Sequence, residues 1–185
     1  MHHYQDLIDI FDTCFFETYQ TRLIRGGDEP MYCPADAERP YHALYFAHGF
    51  FSSALHECAH WLIAGDERRQ VVDFGYWYEP DGRSFEQQSL FQQVEIKPQA
   101  LEWILSVAAG HRFQVSIDNL DAPPLDTLFF QQHVYEQVLR YCDHGLPERA
   151  AIFRQALCAH YGTSPLLDKG DFDIKRLGIS SYSTL

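Results

Sequence analysis

The sequence predicts an α+β fold: a single, mostly helical domain with a small β-sheet. In several long segments the apolar residues recur at the three- and four-residue spacing of amphipathic helices. Between these segments lie short runs rich in β-branched and aromatic residues, which favour strands. With 185 residues, 46% of them hydrophobic, the chain is long enough to bury one sizeable core.

The predicted elements follow from where these patterns begin and end. An apolar face that includes Leu7, Ile8 and Phe11 predicts an N-terminal helix that ends before the Gly26-Gly27 pair, and a proline-rich loop follows. The next elements are an extended segment over 43–46, a helix over 53–64, a strand over 70–78, helices over 85–93 and 98–109, a strand over 112–117, and helices over 126–143 and 147–161.

Two helices are expected between residues 85 and 109, because Pro98 disfavours helical geometry at Lys97 and suits the first turn of a new helix. On the helix over 126–143, Phe129 and Phe130 are expected in the core. We interpret residues 1–161 as one domain. Residues 162–185, rich in glycine, serine and charge, are interpreted as a peripheral C-terminal tail.

Charge and composition exclude some classes of function. The net charge of −12 argues against nucleic-acid binding by phosphate neutralisation. An acidic surface of this kind either attracts a basic segment of a partner or is simply solvated. No apolar run reaches membrane-spanning length and no signal-peptide pattern opens the chain, which predicts a cytoplasmic protein that does not enter a membrane. The five cysteines are widely spaced, which predicts reduced thiols.

The most informative motif is His-Glu-Cys-Ala-His over residues 56–60, an HExxH pattern within the helix predicted over 53–64. Residues four apart on a helix lie on the same face one turn apart, so His56 and His60 can close on one metal ion. Glu57 stands at the rim of that face. A chain with 10 histidines meets this pattern by chance only roughly 0.03 times. The segment therefore predicts a zincin-like metal helix.

Two histidines need a third ligand, and a carboxylate is the natural one, because no cysteine or histidine clearly completes a closed zinc site. Glu95 is the first choice, since it lies between apolar residues just before the expected break at Pro98. Glu102 is the second choice, although it also suits the polar face of a helix. Glu86 and Asp73 are further carboxylates downstream of the motif.

Two histidines and a carboxylate serve two chemistries. With zinc they activate water, with Glu57 as the general base, which is metallopeptidase chemistry. With ferrous iron the same ligands leave positions open for dioxygen and substrate, which is oxygenase chemistry. The residue types do not choose between these metals, and a metal-stabilised binding module without catalysis is a third alternative.

Longer segments around the motif carry a more specific pattern. They are residues 45–50 (YFAHGF), the HExxH block with Trp61, and residues 72–78 (VDFGYWY), 80–83 (PDGR) and 94–101 (VEIKPQAL), with shorter matches at 28–30, 34–38 and 147–149. This combination resembles the elongation factor P hydroxylase family. The resemblance runs from the N-terminal helix to about Tyr161 and fades in the tail.

The resemblance implies a protein hydroxylase outside the 2-oxoglutarate jelly-roll group. Its expected substrate is elongation factor P, at a lysine that already carries a β-lysyl group. The resemblance assigns the metal-ligand roles to His56, His60 and Glu95, with Fe(2+) as the expected metal and dioxygen as the co-substrate. Zinc or another divalent ion can occupy the same ligands. Glu57 is the candidate catalytic residue, either through a hydrogen bond to a ligand of the metal or through a neighbouring contact.

Four residues are candidate substrate contacts. Tyr76 and Tyr78 share one face of the predicted strand and are expected to line a channel for the long lysine side chain, with a cation–π contact to its ammonium group. Packing in a sheet core explains the same alternation. Asp73 either pairs with that ammonium group or is solvated. His48 points either into the site or toward the surface.

Overall fold

The computed structural model describes residues 2–73, 85–116 and 124–180, with only the backbone given for 85–89, 124–126 and 178–180. Within these ranges the predicted α+β class is confirmed: one mostly helical domain surrounds a continuous core. The described α-helices are α1 (Tyr4–Tyr19), α2 (Phe51–Ile63), α3 (Phe85–Ala108), α4 (Pro124–His144) and α5 (Glu148–Tyr161). The described strands are β1 (Thr21–Arg25), β2 (Met31–Cys33), β3 (His42–Phe46), β4 (Gln114–Ser116) and β5 (Gly178–Ser180).

The main sheet has the order β1-β3-β2, with β1 parallel and β2 antiparallel to the central strand β3. The N-terminal helix ends before Gly26-Gly27 as predicted, and the unpredicted strand β1 lies between the helix and this pair. Helix α1 ends at Tyr19, because Gln20 takes a left-handed conformation with φ of 50°. The β-branched residues Thr21 and Ile24 then favour the extended backbone of β1.

The turn from β3 into α2 sets the position of the helix that carries the HExxH motif. His48 and Gly49 are both left-handed, with φ of 54° and 71°. The positive φ favours glycine at position 49, and a Cβ atom there would lie 2.9 Å from Nε of Arg25 and displace that side chain. The Ala47 N–H donates to Oγ of Ser53 at 3.1 Å, which fastens the end of the strand to the first turn of the helix.

Helix α2 is fixed by its apolar face. Leu55, Cys58 and Ala59 are each 0% exposed, and the helix packs against α1, α3, α5 and β3. Trp61 contacts the rings of Phe11 and Phe15, both at 5.0 Å between centroids. Full burial of a large apolar side chain stabilises the fold by about 1.5–3 kcal/mol, so the helix is held firmly in one orientation. The HExxH histidines lie away from this core face.

Helix α3 is continuous, and the prediction of two helices separated at Pro98 is wrong. Proline lacks the N–H that would bond the Val94 carbonyl, which costs one helical hydrogen bond. The cost is offset by packing, since Leu101, Ile104 and Leu105 are all 0% exposed. Because the helix is unbroken, residues seven positions apart on it lie on nearly the same face.

The residues after Tyr161 contact the body at defined points. Strand β5 pairs in parallel with β4, which lies within the strand predicted over 112–117. Phe172 is 4% exposed and packs against Trp103 with ring centroids 5.5 Å apart. Arg154 donates to the carbonyls of Pro165 and Leu166, each at 2.8 Å. These contacts tie the C-terminal segment to α3 and α5.

Other local predictions differ from the structure. Gln70, predicted to begin a strand, ends a short 3₁₀ turn, and Asp73 forms an isolated antiparallel bridge with Tyr32. Residues 74–78 of the predicted strand lie outside the described residues. Phe130 is 2% exposed as expected, but Phe129 is 65% exposed, because adjacent helical residues point about 100° apart. Among the described helices, none has the length and apolarity needed to cross a bilayer.

Candidate metal centre

Two histidines of α2 and a glutamate of α3 come together at the interface of these helices. Nε2 of His56 lies 3.1 Å from Nε2 of His60. Glu95 places Oε1 at 3.2 Å from Nε2 of His60 and Oε2 at 3.6 Å from Nε2 of His56. The side chain of Glu95 is 4% exposed, while those of His56 and His60 are 21% and 17% exposed. The cluster is therefore closed on the glutamate side and open on the histidine side.

The spacing of the donor atoms fits one divalent ion. Two donors that are each about 2.1 Å from an ion lie about 3.0 Å apart at a right angle and about 3.4 Å apart at a tetrahedral angle. The separations of 3.1, 3.2 and 3.6 Å, of which the last two involve different oxygens of Glu95, lie close to that range. Moreover, Oε2 of Glu95 is buried with no hydrogen-bond partner among the described residues, which is costly without a ligand. The residues present thus fit a metal ion.

The charge state of Glu95 suits a ligand. Burial on its own raises the pKa of this carboxyl, because the charged form is poorly solvated. The charges and hydrogen bonds of His60, His56 and Gln99 outweigh burial and lower the pKa to about 2. Glu95 is consequently ionised at neutral pH.

For His56, the neighbouring charges shift the pKa upward, against the effect of burial. Burial lowers the pKa of its imidazole, but the hydrogen bond and charge of Glu102, with the charges of Glu95 and Glu57, raise it to about 10. Burial also raises the pKa values of Glu57 and Glu102. The surrounding carboxylates therefore favour a positive charge at this position, which a bound cation would supply.

Glu102 lies close to the cluster but contacts Nδ1 of His56, the ring nitrogen that faces away from the other donor atoms. Its Oε2 is 2.8 Å from Nδ1 of His56, and its side chain is 6% exposed. The sequence ranks Glu102 only as the second choice for a ligand. Its relation to Glu95 could have been found from their seven-residue spacing, had the break expected at Pro98 not separated them.

Gln99 is a site neighbour that sequence reasoning missed. The residue is 1% exposed, and its side-chain amide forms two hydrogen bonds with the backbone of Ser116 in β4. Nε2 donates to the Ser116 carbonyl at 2.7 Å, and Oε1 accepts from the Ser116 N–H at 3.1 Å. These bonds fasten α3 to β4 one turn after Glu95. A lone glutamine in a helix carries no pattern that predicts such a pairing.

The candidate substrate contacts are less fully described. His48 lies on the exposed turn before α2, with Nδ1 3.7 Å from Oδ1 of Asp28 and its side chain 46% exposed. Asp73 forms an ion pair with Arg68. Tyr76 and Tyr78 lie outside the described residues. The substrate-binding role of all four candidates stays a prediction.

Comparison with known proteins agrees with the motifs. A family model described as elongation factor P hydroxylase matches residues 10–172, which include the HExxH motif and Glu95. The chain belongs to the elongation factor P hydroxylase family. The elongation factor P lysine hydroxylase of Haemophilus influenzae is 59% identical over 173 residues, covering 94% of this chain and 97% of that relative. The match to the family extends past Tyr161 to Phe172, the aromatic residue that packs on Trp103.

Proposed function

We propose that this chain is a metal-dependent hydroxylase that inserts oxygen into a lysine side chain of elongation factor P. The proposal is supported by membership of the family and by the 59% identity to an elongation factor P lysine hydroxylase. The observation that carries its metal dependence is the cluster of His56, His60 and Glu95, whose donor atoms all lie within 4.8 Å of one another.

Iron is the metal we propose. Two imidazoles and one carboxylate form the donor set of ferrous oxygenases, in which the bound ion supplies open positions for dioxygen and substrate. In this chain Glu95 supports the set from the buried side, and the partly exposed histidines border the solvent. A substrate side chain would therefore approach across the histidine edge of α2.

The overall reaction needs a reductant. One atom of dioxygen enters a C–H bond of the lysine side chain and forms a hydroxyl group. The other atom leaves as water, with two electrons and two protons from an external two-electron donor. Glu57 lies next to His56 on α2. We propose that its carboxyl group forms a hydrogen bond with the reacting groups.

The substrate we propose is elongation factor P whose target lysine already carries a β-lysyl group. This form offers a long aliphatic chain that ends in extra positive charge. A protein with a net charge of −12 attracts such a segment. The preference rests on the resemblance to the family and on this charge complementarity.

The test is the intact mass of β-lysylated elongation factor P after incubation with the protein, ferrous iron and ascorbate in air. We expect a gain of about 16 Da, or about 18 Da under ¹⁸O₂, because the inserted oxygen comes from dioxygen. Anaerobic incubation should abolish the gain, and elongation factor P without the β-lysyl group is the matched substrate control.

The same experiment separates the alternatives. Fragments of elongation factor P that vanish on chelation would indicate a metallopeptidase with Glu57 as the general base. An unchanged mass with stable binding of the two proteins would indicate a binding module. Equal gain on the substrate without the β-lysyl group would contradict the proposed preference but not the hydroxylase activity.

A further inference from the structure

The carboxylates of Glu102 and Glu95 lie on different sides of the imidazole ring of His56. The two residues lie on one face of α3, seven positions apart. Nε2 of His56 points toward the cluster, 3.6 Å from Oε2 of Glu95 and 3.1 Å from Nε2 of His60. Nδ1 of the same ring lies 2.8 Å from Oε2 of Glu102. The ring is thus held between two carboxylates that contact different nitrogens.

The chemistry of imidazole makes this arrangement directional. A neutral imidazole carries its proton on one nitrogen and its lone pair on the other. A carboxylate is only an acceptor when ionised, so its contact with Nδ1 favours the tautomer with the proton on that nitrogen. That tautomer leaves the lone pair of Nε2 free for a metal ion. Among metal-binding histidines, a carboxylate partner on the second nitrogen fixes both tautomer and ring orientation.

We propose that Glu102 is a positioning residue that presents Nε2 of His56 to the metal and is not itself a ligand. The inference rests on the metal centre of the proposed function and adds the role of a residue outside the donor set. Burial supports it, since the Glu102 side chain is 6% exposed and has little freedom to leave the ring. Helix packing supports it as well, because α2 and α3 pack directly against each other.

The test compares two variants of Glu102 with a control on the same helix. Glu102→Leu removes the acceptor while keeping similar bulk, and Glu102→Gln keeps a carbonyl oxygen that can accept from Nδ1. Ser106→Ala alters another buried polar residue one turn further along α3. Each protein is stripped of metal and titrated with zinc ion alone by calorimetry, and thermal unfolding of the metal-free protein is measured in parallel.

We expect Glu102→Leu to weaken zinc binding by about 10–100-fold, Glu102→Gln to weaken it less, and Ser106→Ala to leave it unchanged. The metal-free Glu102→Leu protein should unfold at a lower temperature, because removal of one partner of a buried pair leaves the imidazole of His56 unpaired, whereas Glu102→Gln keeps an acceptor and should lose less stability. In the zinc-loaded protein, the Nδ1 proton of His56 should be protected from exchange in nuclear magnetic resonance spectra, and this protection should be lost in Glu102→Leu.

Three outcomes would overturn the inference, and they differ in what they mean for the metal centre. Equal zinc affinity of Glu102→Leu and the wild type would remove the positioning role and leave the centre intact. A loss as deep as that of His56→Ala, stripped and titrated in the same way, would make Glu102 a ligand. Failure of the wild type to bind zinc would remove the centre itself, and the inference with it.

Discussion

At the scale of single residues, the site concentrates two imidazoles and two carboxylates where little water reaches. Glu95 and Glu102 are 4% and 6% exposed on their side chains. Charges at hydrogen-bond distance interact strongly when water screens them poorly. The carboxylates therefore stabilise a positive charge between them. Removal of either histidine would take away a donor atom that no other described residue of the cluster replaces.

Replacement of His60 by alanine should remove the metal. Two remaining donors hold a divalent ion poorly, so we expect bound metal to fall from about one ion per chain to below about 0.1 after dialysis. Metal content by mass spectrometry is the measurement. His133→Ala, an exposed histidine on α4, is the matched control and should retain the metal. Full occupancy in His60→Ala would show that the cluster is not the metal site.

The pair His56 and His60 is predictable from sequence because a four-residue spacing on a helix fixes the two side chains relative to each other, whatever the rest of the fold does. Glu95 is chosen for a reason that the structure does not support, since no break occurs at Pro98. The contact of Glu102 with His56 spans 46 residues and depends on how α3 packs on α2. Single-sequence patterns do not carry that information.

At the scale of elements, α3 brings the carboxylates together because it continues through Pro98. The sequence indicates the long helices well, since their apolar faces repeat over several turns. It misses the strands β1 and β2, which have five and three residues and lie beside a proline-rich loop. Such short strands are stabilised by pairing with β3, and their own sequence shows little alternation.

Pro98 tests the balance between helix geometry and packing in α3. Proline inside a helix costs about 3 kcal/mol relative to alanine. Its buried ring contributes packing of about two methylene groups, or about 1.6 kcal/mol, that alanine lacks. We therefore expect Pro98→Ala to raise the free energy of unfolding by about 1 kcal/mol in chemical denaturation.

Pro147→Ala is the control for Pro98. Pro147 occupies the N-cap of α5, where its missing N–H costs no helical bond. Its replacement should lower the free energy of unfolding by about 0.4–1 kcal/mol, because alanine gives the unfolded chain more freedom. A loss of stability in Pro98→Ala as large as that in Pro147→Ala would show that ring packing exceeds the cost of the missing bond.

At the scale of the whole molecule, the net charge of −12 is a property that the sequence alone provides. A diffuse acidic surface accelerates encounter with a basic partner more than it strengthens the bound complex. Its effect weakens with salt, since the Debye length falls from about 10 Å at 0.1 M to about 3 Å at 1 M.

Added salt should therefore slow the association of the two proteins and leave the rate of the chemical step nearly unchanged. For β-lysylated elongation factor P, we expect kcat/KM to fall at least about tenfold between 0.1 and 1 M sodium chloride, while kcat changes less than about twofold. Initial rates across substrate concentrations at each salt concentration provide both quantities. Equal kcat/KM at all salt concentrations would mean that the acidic surface is only solvated.

The most direct test of the whole account is the metal dependence of oxygen insertion. The protein is stripped with a chelator and then supplied with ferrous iron, zinc or buffer. β-Lysylated elongation factor P is added with ascorbate in air, and its intact mass is measured. We predict a gain of about 16 Da with ferrous iron and none with zinc or buffer, and none with His60→Ala under any condition. Full hydroxylation by the stripped protein, or by His60→Ala, would contradict the account.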